Sequence, residues 1–160
     1  MKRKVINTRR YKEGALISIL ILLFSYLFNF VWESFHSVLL YEGHNLEVIR
    51  YIFMINYASI TDSFLILGVY AIIALLWKDL LWIKKMNKKQ IYITIIIGLI
   101  IAAFIEYRAV FLMHRWSYNA FMPTILGIGL SPLIQLSITG ILAFFLTKRL
   151  LYQKGIYYGR

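Results

Sequence analysis

Glu33 and His36 stand three residues apart in an otherwise apolar stretch, close enough on a helix for carboxylate and imidazole to meet. Di-iron four-helix bundles use this E-x-x-H spacing to bring both groups to one metal. Such bundles need a second pair and two further carboxylates. Only one pair occurs here, and no H-x-x-x-H accompanies it, so neither a metal nor a cofactor is expected. What remains is either a Glu–His hydrogen bond that satisfies both groups, or a pair that handles a proton or holds a ligand. Tyr26 and Asn29 precede the pair at helical spacing, so Tyr26, Asn29, Glu33 and His36 form one polar stripe.

Two more acids interrupt apolar runs. Asp62 sits in ITDSFLIL and must be protonated, paired or facing water; a structural hydrogen bond between helices and a functional role are equally open. Glu106 follows IIAAFI and is itself followed by Tyr107, a candidate hydrogen-bond donor. Further along, in MPTILGIGLSPLIQ, Thr124, Gly127, Ser131 and Gln135 would share a face of a helix, with Gly127-x-x-x-Ser131 as a small-residue contact. Within that helix Pro132 would free the carbonyl of Ile128, which then needs a partner or water. Ser131 lacks the flanking pattern of a nucleophile elbow. The segment His114–Ala120 offers Arg115, Trp116 and Tyr118. These form either an interfacial aromatic belt with a headgroup-binding arginine, or a lid in which Arg115 grips a lipid phosphate.

The elements that must position these residues follow from composition. Of 160 residues, 61% are hydrophobic, above the roughly 45–50% of soluble domains. A bilayer span needs about 20 apolar residues, and four such runs fit, at about 15–40, 51–77, 91–113 and 121–146. Pro123 would then occupy the first turn of the fourth helix. The fold class expected is all-α: a single transmembrane domain, residues 1–160, with four membrane-spanning helices in a bundle. There is no cysteine, which excludes thiolate and disulfide chemistry. The net charge of +11 points to anionic membrane surface rather than nucleic acid, because the basic residues cluster at the ends of apolar runs.

Orientation follows from a count. The N-terminal tail carries six Lys and Arg, the segment 78–90 five and the C-terminal tail four, leaving only Arg50, Arg108 and Arg115 elsewhere. The positive-inside rule then places both termini in the cytoplasm of a multi-pass cell-membrane protein. The two other turns, 41–50 (broken by Gly43 and Asn45) and 114–120, face outward. Trp77 and Trp82 are expected at the inner interface, Trp32 and Trp116 at the outer one. At about 1.5 Å of rise per residue, Glu33 lies roughly 27 Å and Glu106 roughly 22 Å above the inner ends of their helices, and Asp62 about 16 Å below the outer surface. All three acids fall in the middle or outer part of the bilayer.

Trp32-Glu33, TDSFLILGVY, Glu106, Arg115-Trp116-x-Tyr118, Met122-Pro123 and GLSPLIQ together cover much of residues 29–136. This pattern resembles a group of small four-helix bacterial integral membrane proteins to which no activity is attached. The resemblance implies four helices and draws attention to Glu33, Asp62 and Glu106.

The expected function is a pocket in the outer half that binds or processes an amphipathic lipid or isoprenoid-like molecule. Glu33 and Glu106 are the candidate acid and base, since paired carboxyls in one site titrate apart. His36 would relay a proton and Asp62 fix orientation. Asn29, Tyr107, Arg115, Trp116, Tyr118, Ser131 and Gln135 are the candidate ligand contacts. Two alternatives stand beside this: a structural or accessory membrane subunit, and a small proton-coupled transporter acting as an oligomer. Membrane lipids are the expected partners, with a homo-oligomer or another membrane protein as a further expectation and no nucleic acid.

Overall fold

The computed structural model describes residues 2–42 and 47–153, and of residues 2–9 the helical backbone alone. Four long helices dominate it: α1 (Lys2–Leu40), α2 (Val48–Trp77), α3 (Lys88–Tyr107) and α4 (Leu130–Gln153). Each is long and apolar enough to cross a membrane. The breakers Gly43 and Asn45 and the tail 154–160 lie outside the described residues.

α1 packs along both α2 and α4, and α3 packs along α4, whereas α2 and α3 meet only sparsely. The helices therefore form a ring that is closed on three sides and loosely joined on the fourth. The tight seams have local causes. Gly98 of α3 faces Ser137 of α4 so closely that a Cβ there would lie 2.5 Å from the Ser137 Oγ. Ser137 Oγ donates to the Ile95 carbonyl across the same seam.

Ion pairs and backbone bonds define two ends. At the basic end Arg10 pairs with Asp79 at 2.9 Å and Lys84 with Glu13 at 2.6 Å, tying the start of α1 to the α2–α3 connection. Asn87 and Gln90 form a reciprocal cap that starts α3. At the other end the Asn119 amide donates to the Leu40 carbonyl and the Glu42 amide to that of Ser117.

The α2–α3 connection differs from a solvated loop. Leu81 and Met86 pack on the core, and the turn Trp82–Lys85 folds back under the bundle, leaving Trp82 1% exposed. Its indole donates to the Tyr70 carbonyl at 3.2 Å, and its ring lies against Tyr70 and Phe144. An indole with a partner for its N–H gains more in the core than at an interface, so Trp82 is a plug rather than an interfacial anchor.

The fourth helix also begins later than its hydropathy suggests. Residues 121–129 are not helical: β1 (Thr124–Ile125) pairs antiparallel with β2 (Ile128–Gly129). Leu126 and Gly127, both with positive φ (53° and 77°), make the turn, which is the two-residue geometry a tight hairpin requires. Pro123 thus precedes the hairpin, its carbonyl accepting from the Leu130 amide. Pro132 falls in the first turn of α4, where a missing N–H costs nothing, so no carbonyl is freed in mid-span. Thr124 and Gly127 leave the proposed helical face, and Gly127-x-x-x-Ser131 is not a helix contact. α4 runs on to Gln153, beyond Leu146, and α1 begins well before Ala15. α3 ends in a π turn at Arg108–Leu112, close to the expected boundary.

Candidate functional site

Near the hairpin end the four helices diverge around a cavity of about 1120 Å³. Its polar floor is assembled from three helices through one amide. Gln135 of α4 places its Nε2 2.7 Å from Glu33 Oε1 on α1 and 2.9 Å from Asp62 Oδ2 on α2. Asn29 Oδ1 lies 3.1 Å away from the same nitrogen. An amide has two N–H groups, and the two shortest contacts claim them. The Thr139 hydroxyl lies 3.2 Å from Asn29 Oδ1 but donates its one proton at shorter range, 2.8 Å, to the Gln135 carbonyl. The orientation of Asn29 is set by its own amide, which donates to the Ser25 carbonyl.

A second chain of contacts holds His36. Trp32 Nε1 donates to Ser131 Oγ at 3.2 Å, Ser131 lies 3.1 Å from His36 Nδ1, and His36 Nε2 lies 3.1 Å from Glu33 Oε2. Indole N–H can only donate, so the Ser131 hydroxyl proton is free to point at Nδ1. The tautomer with its ring proton on Nε2 then faces the acid. Glu33 is thereby held on both oxygens, one by Gln135 and the other by His36.

The opposite wall is Glu106 of α3, 5% exposed, whose Oε2 accepts from both Trp116 and Tyr118. Two features bring Tyr118 there. It bridges to Tyr41 across the end of α1, and its ring lies against Gly129, where a Cβ would come within 2.9 Å. Burial, together with the Glu106 contact, pushes the Tyr118 hydroxyl pKa upward, and burial does the same for Tyr41. Both hydroxyls therefore stay protonated donors at neutral pH.

Of the residues singled out in the sequence, Asn29, Glu33, His36, Asp62, Ser131 and Gln135 form one network, and Glu106, Trp116 and Tyr118 a second cluster on the same cavity. Arg115 lines the cavity and is exposed. Tyr107 does not belong: it is half exposed and its ring meets Phe111 outside the cavity. Helical spacing explains this, since a residue next to Glu106 points about 100° away from it. Tyr41, Thr139 and Gly129 were missed. Thr139 follows Gln135 by four residues and so lay on a legible face, whereas nothing local to Tyr41 marks its contacts. Among the described residues no cluster of three His, Asp or Glu side chains could hold a metal ion.

Fold and site together define a small four-helix protein with candidate membrane spans and an acid–histidine cavity near one end. Compared with known protein families, curated proteins and solved structures, the chain matches none.

Proposed function

We propose that this is a multi-pass cell-membrane protein whose cavity, in the outer half of the bilayer, binds or processes an amphipathic lipid or isoprenoid-like molecule. One observation carries the reading: the cavity has polar groups on its floor, and exposed residues of α2 belong to its lining. Met54, Tyr57, Ala58 and Thr61 of α2, Ile105 of α3 and Val110 of the π turn that follows it line the cavity, and Tyr57 and Thr61 are also exposed. We take this side, where α2 and α3 are loosely joined, as the lateral entrance. A headgroup could reach the acids there while its chain stays among lipid tails. If chemistry follows binding, Glu33 and Glu106 face the same space as acid and base.

The transporter alternative gains less support, because the opposite half of the bundle is packed with Ile17, Ile21, Ile73, Trp82 and Phe144. A structural subunit is favoured by one feature, the internal satisfaction of Glu33 by Gln135 and His36.

Native mass spectrometry after exchange into a delipidating detergent tests the proposal. One lipid-sized adduct per chain should survive in the unaltered protein and vanish in Ala102→Trp, which fills the cavity at a buried wall position. No retained adduct, or one indifferent to Ala102→Trp, would defeat the pocket reading.

A further inference from the structure

The charge and hydrogen-bonding capacity of this cavity specify a headgroup. We infer that it accepts a primary ammonium joined to a phosphate, as in an ethanolamine phospholipid, with the ammonium among Glu33, Asp62 and Glu106 and the phosphate at Arg115. This inference rests on the lipid-pocket reading above.

Two unused groups on the cavity wall carry it. Glu106 is 95% buried by its 5% exposure, yet both of its donors land on Oε2, and no described residue donates to Oε1. Glu106 lines the cavity, so Oε1 is left to accept an N–H that a ligand brings. Arg115 is the second. Its backbone amide is bonded to the Ala109 carbonyl, but its guanidinium has no partner among the described residues. A guanidinium at a cavity rim is suited to a bidentate phosphate contact. Among the described residues, Glu33, Asp62 and Glu106 thus line the cavity within, and the Arg115 guanidinium lines it together with Glu42 and His114, an arrangement that suits an ammonium–phosphate headgroup.

The type of ammonium follows from the donors required. The acids need N–H groups, and a primary ammonium brings three. A quaternary ammonium brings none and depends on aromatic faces. The rings of Tyr41, Trp116 and Tyr118 meet edge to face, with Tyr41 5.4 Å from Tyr118 and 6.2 Å from Trp116. They form a wall beside the acids rather than an enclosing cage. They add cation–π attraction to any ammonium seated there.

The experiment is a competition. The purified full chain is incubated with vesicles of equal parts dioleoyl phosphatidylethanolamine, phosphatidylcholine and phosphatidylglycerol, and retained lipid is read by native mass spectrometry. Phosphatidylethanolamine should be enriched about tenfold over each of the others. Arg115→Ala and Glu106→Gln should each remove most of that enrichment, and Arg115→Lys should keep part of it. Retention of phosphatidylcholine at the same level, or a preference for phosphatidylglycerol, overturns the ammonium assignment while leaving a lipid pocket in place. Unselective retention that survives Ala102→Trp overturns the pocket itself, and this inference with it.

Discussion

Gln135 is the residue on which the polar floor converges, because one amide serves carboxylates from two other helices. Gln135→Leu has nearly the same volume but leaves Glu33 and Asp62 without their shared donor. The expected cost is about 1–3 kcal/mol for each acceptor left unsatisfied, read as a fall in melting temperature in detergent. Gln135→Glu should be worse, since it adds a third carboxyl where two already meet. Glu33→Gln and Glu106→Gln differ in kind. Isosteric amides keep hydrogen bonds but cannot transfer a proton, so insertion and yield should persist while activity or ligand binding is lost. Misfolding of both, with no ligand effect, would favour a structural subunit. At this scale much was legible: a lone acid in an apolar run is costly, so Glu33, Asp62 and Glu106 announce themselves. Tyr41 and Gly129 did not, because their roles depend on a chain crossing that no local spacing encodes.

At the scale of elements, hydropathy came within a few residues of α2 and the start of α3, set the start of α1 too late and misread the start of α4. Phe121 and Ile125 are apolar enough to extend a helix, but Leu126 and Gly127 adopt left-handed backbone and turn the chain back as a hairpin. Leu126 is 94% exposed, a leucine held in a conformation that favours glycine or asparagine. Leu126→Asn should therefore stabilise the hairpin, and Leu126→Pro, whose ring forbids positive φ, should disrupt it. The five lysines of segment 78–90 likewise do not make it a solvated loop. Lys78, Lys85, Lys88 and Lys89 are exposed and Lys84 is largely buried against Glu13, while Leu81, Trp82 and Ile83 between them close the bundle. Helix seams offer a sharper test. Gly98→Ala should destabilise by about 1–3 kcal/mol, because the new methyl meets Ser137 side chain and backbone. Gly68→Ala, with nothing within 4 Å, should instead gain about 0.5–1 kcal/mol from helix propensity. If thermal unfolding in detergent showed the two variants alike, the close α3–α4 seam would be wrong.

Orientation belongs to the whole molecule, because it depends on which charges end up together in space. The pairs Arg10–Asp79 and Glu13–Lys84 bring the start of α1 and the α2–α3 connection to one end. Lys148, near the end of α4, joins them by donating to the Met86 carbonyl. That end gathers Arg10, Lys12, Lys78, Lys84, Lys85, Lys88, Lys89, Lys148 and Arg149. The cavity end has Arg50, Arg108 and Arg115. Lysine and arginine near helix ends resist translocation, so this asymmetry should hold the basic end in the cytoplasm and open the cavity toward the outer leaflet. Reporter fusions after Asn119 and after Asn87 decide it. Alkaline phosphatase should be active at Asn119 and silent at Asn87, with a fluorescent protein showing the reverse. A cytoplasmic signal at Asn119 would invert the molecule and place the acid–histidine cavity in the inner leaflet. Moving charge provides an independent check. Replacing Lys84, Lys85, Lys88 and Lys89 together by Gln still leaves eleven Lys and Arg in the two tails and segment 78–90 against three elsewhere, so the orientation should be retained. A mixed or inverted population in that variant would mean that segment 78–90 alone sets the orientation, against the count over the whole chain.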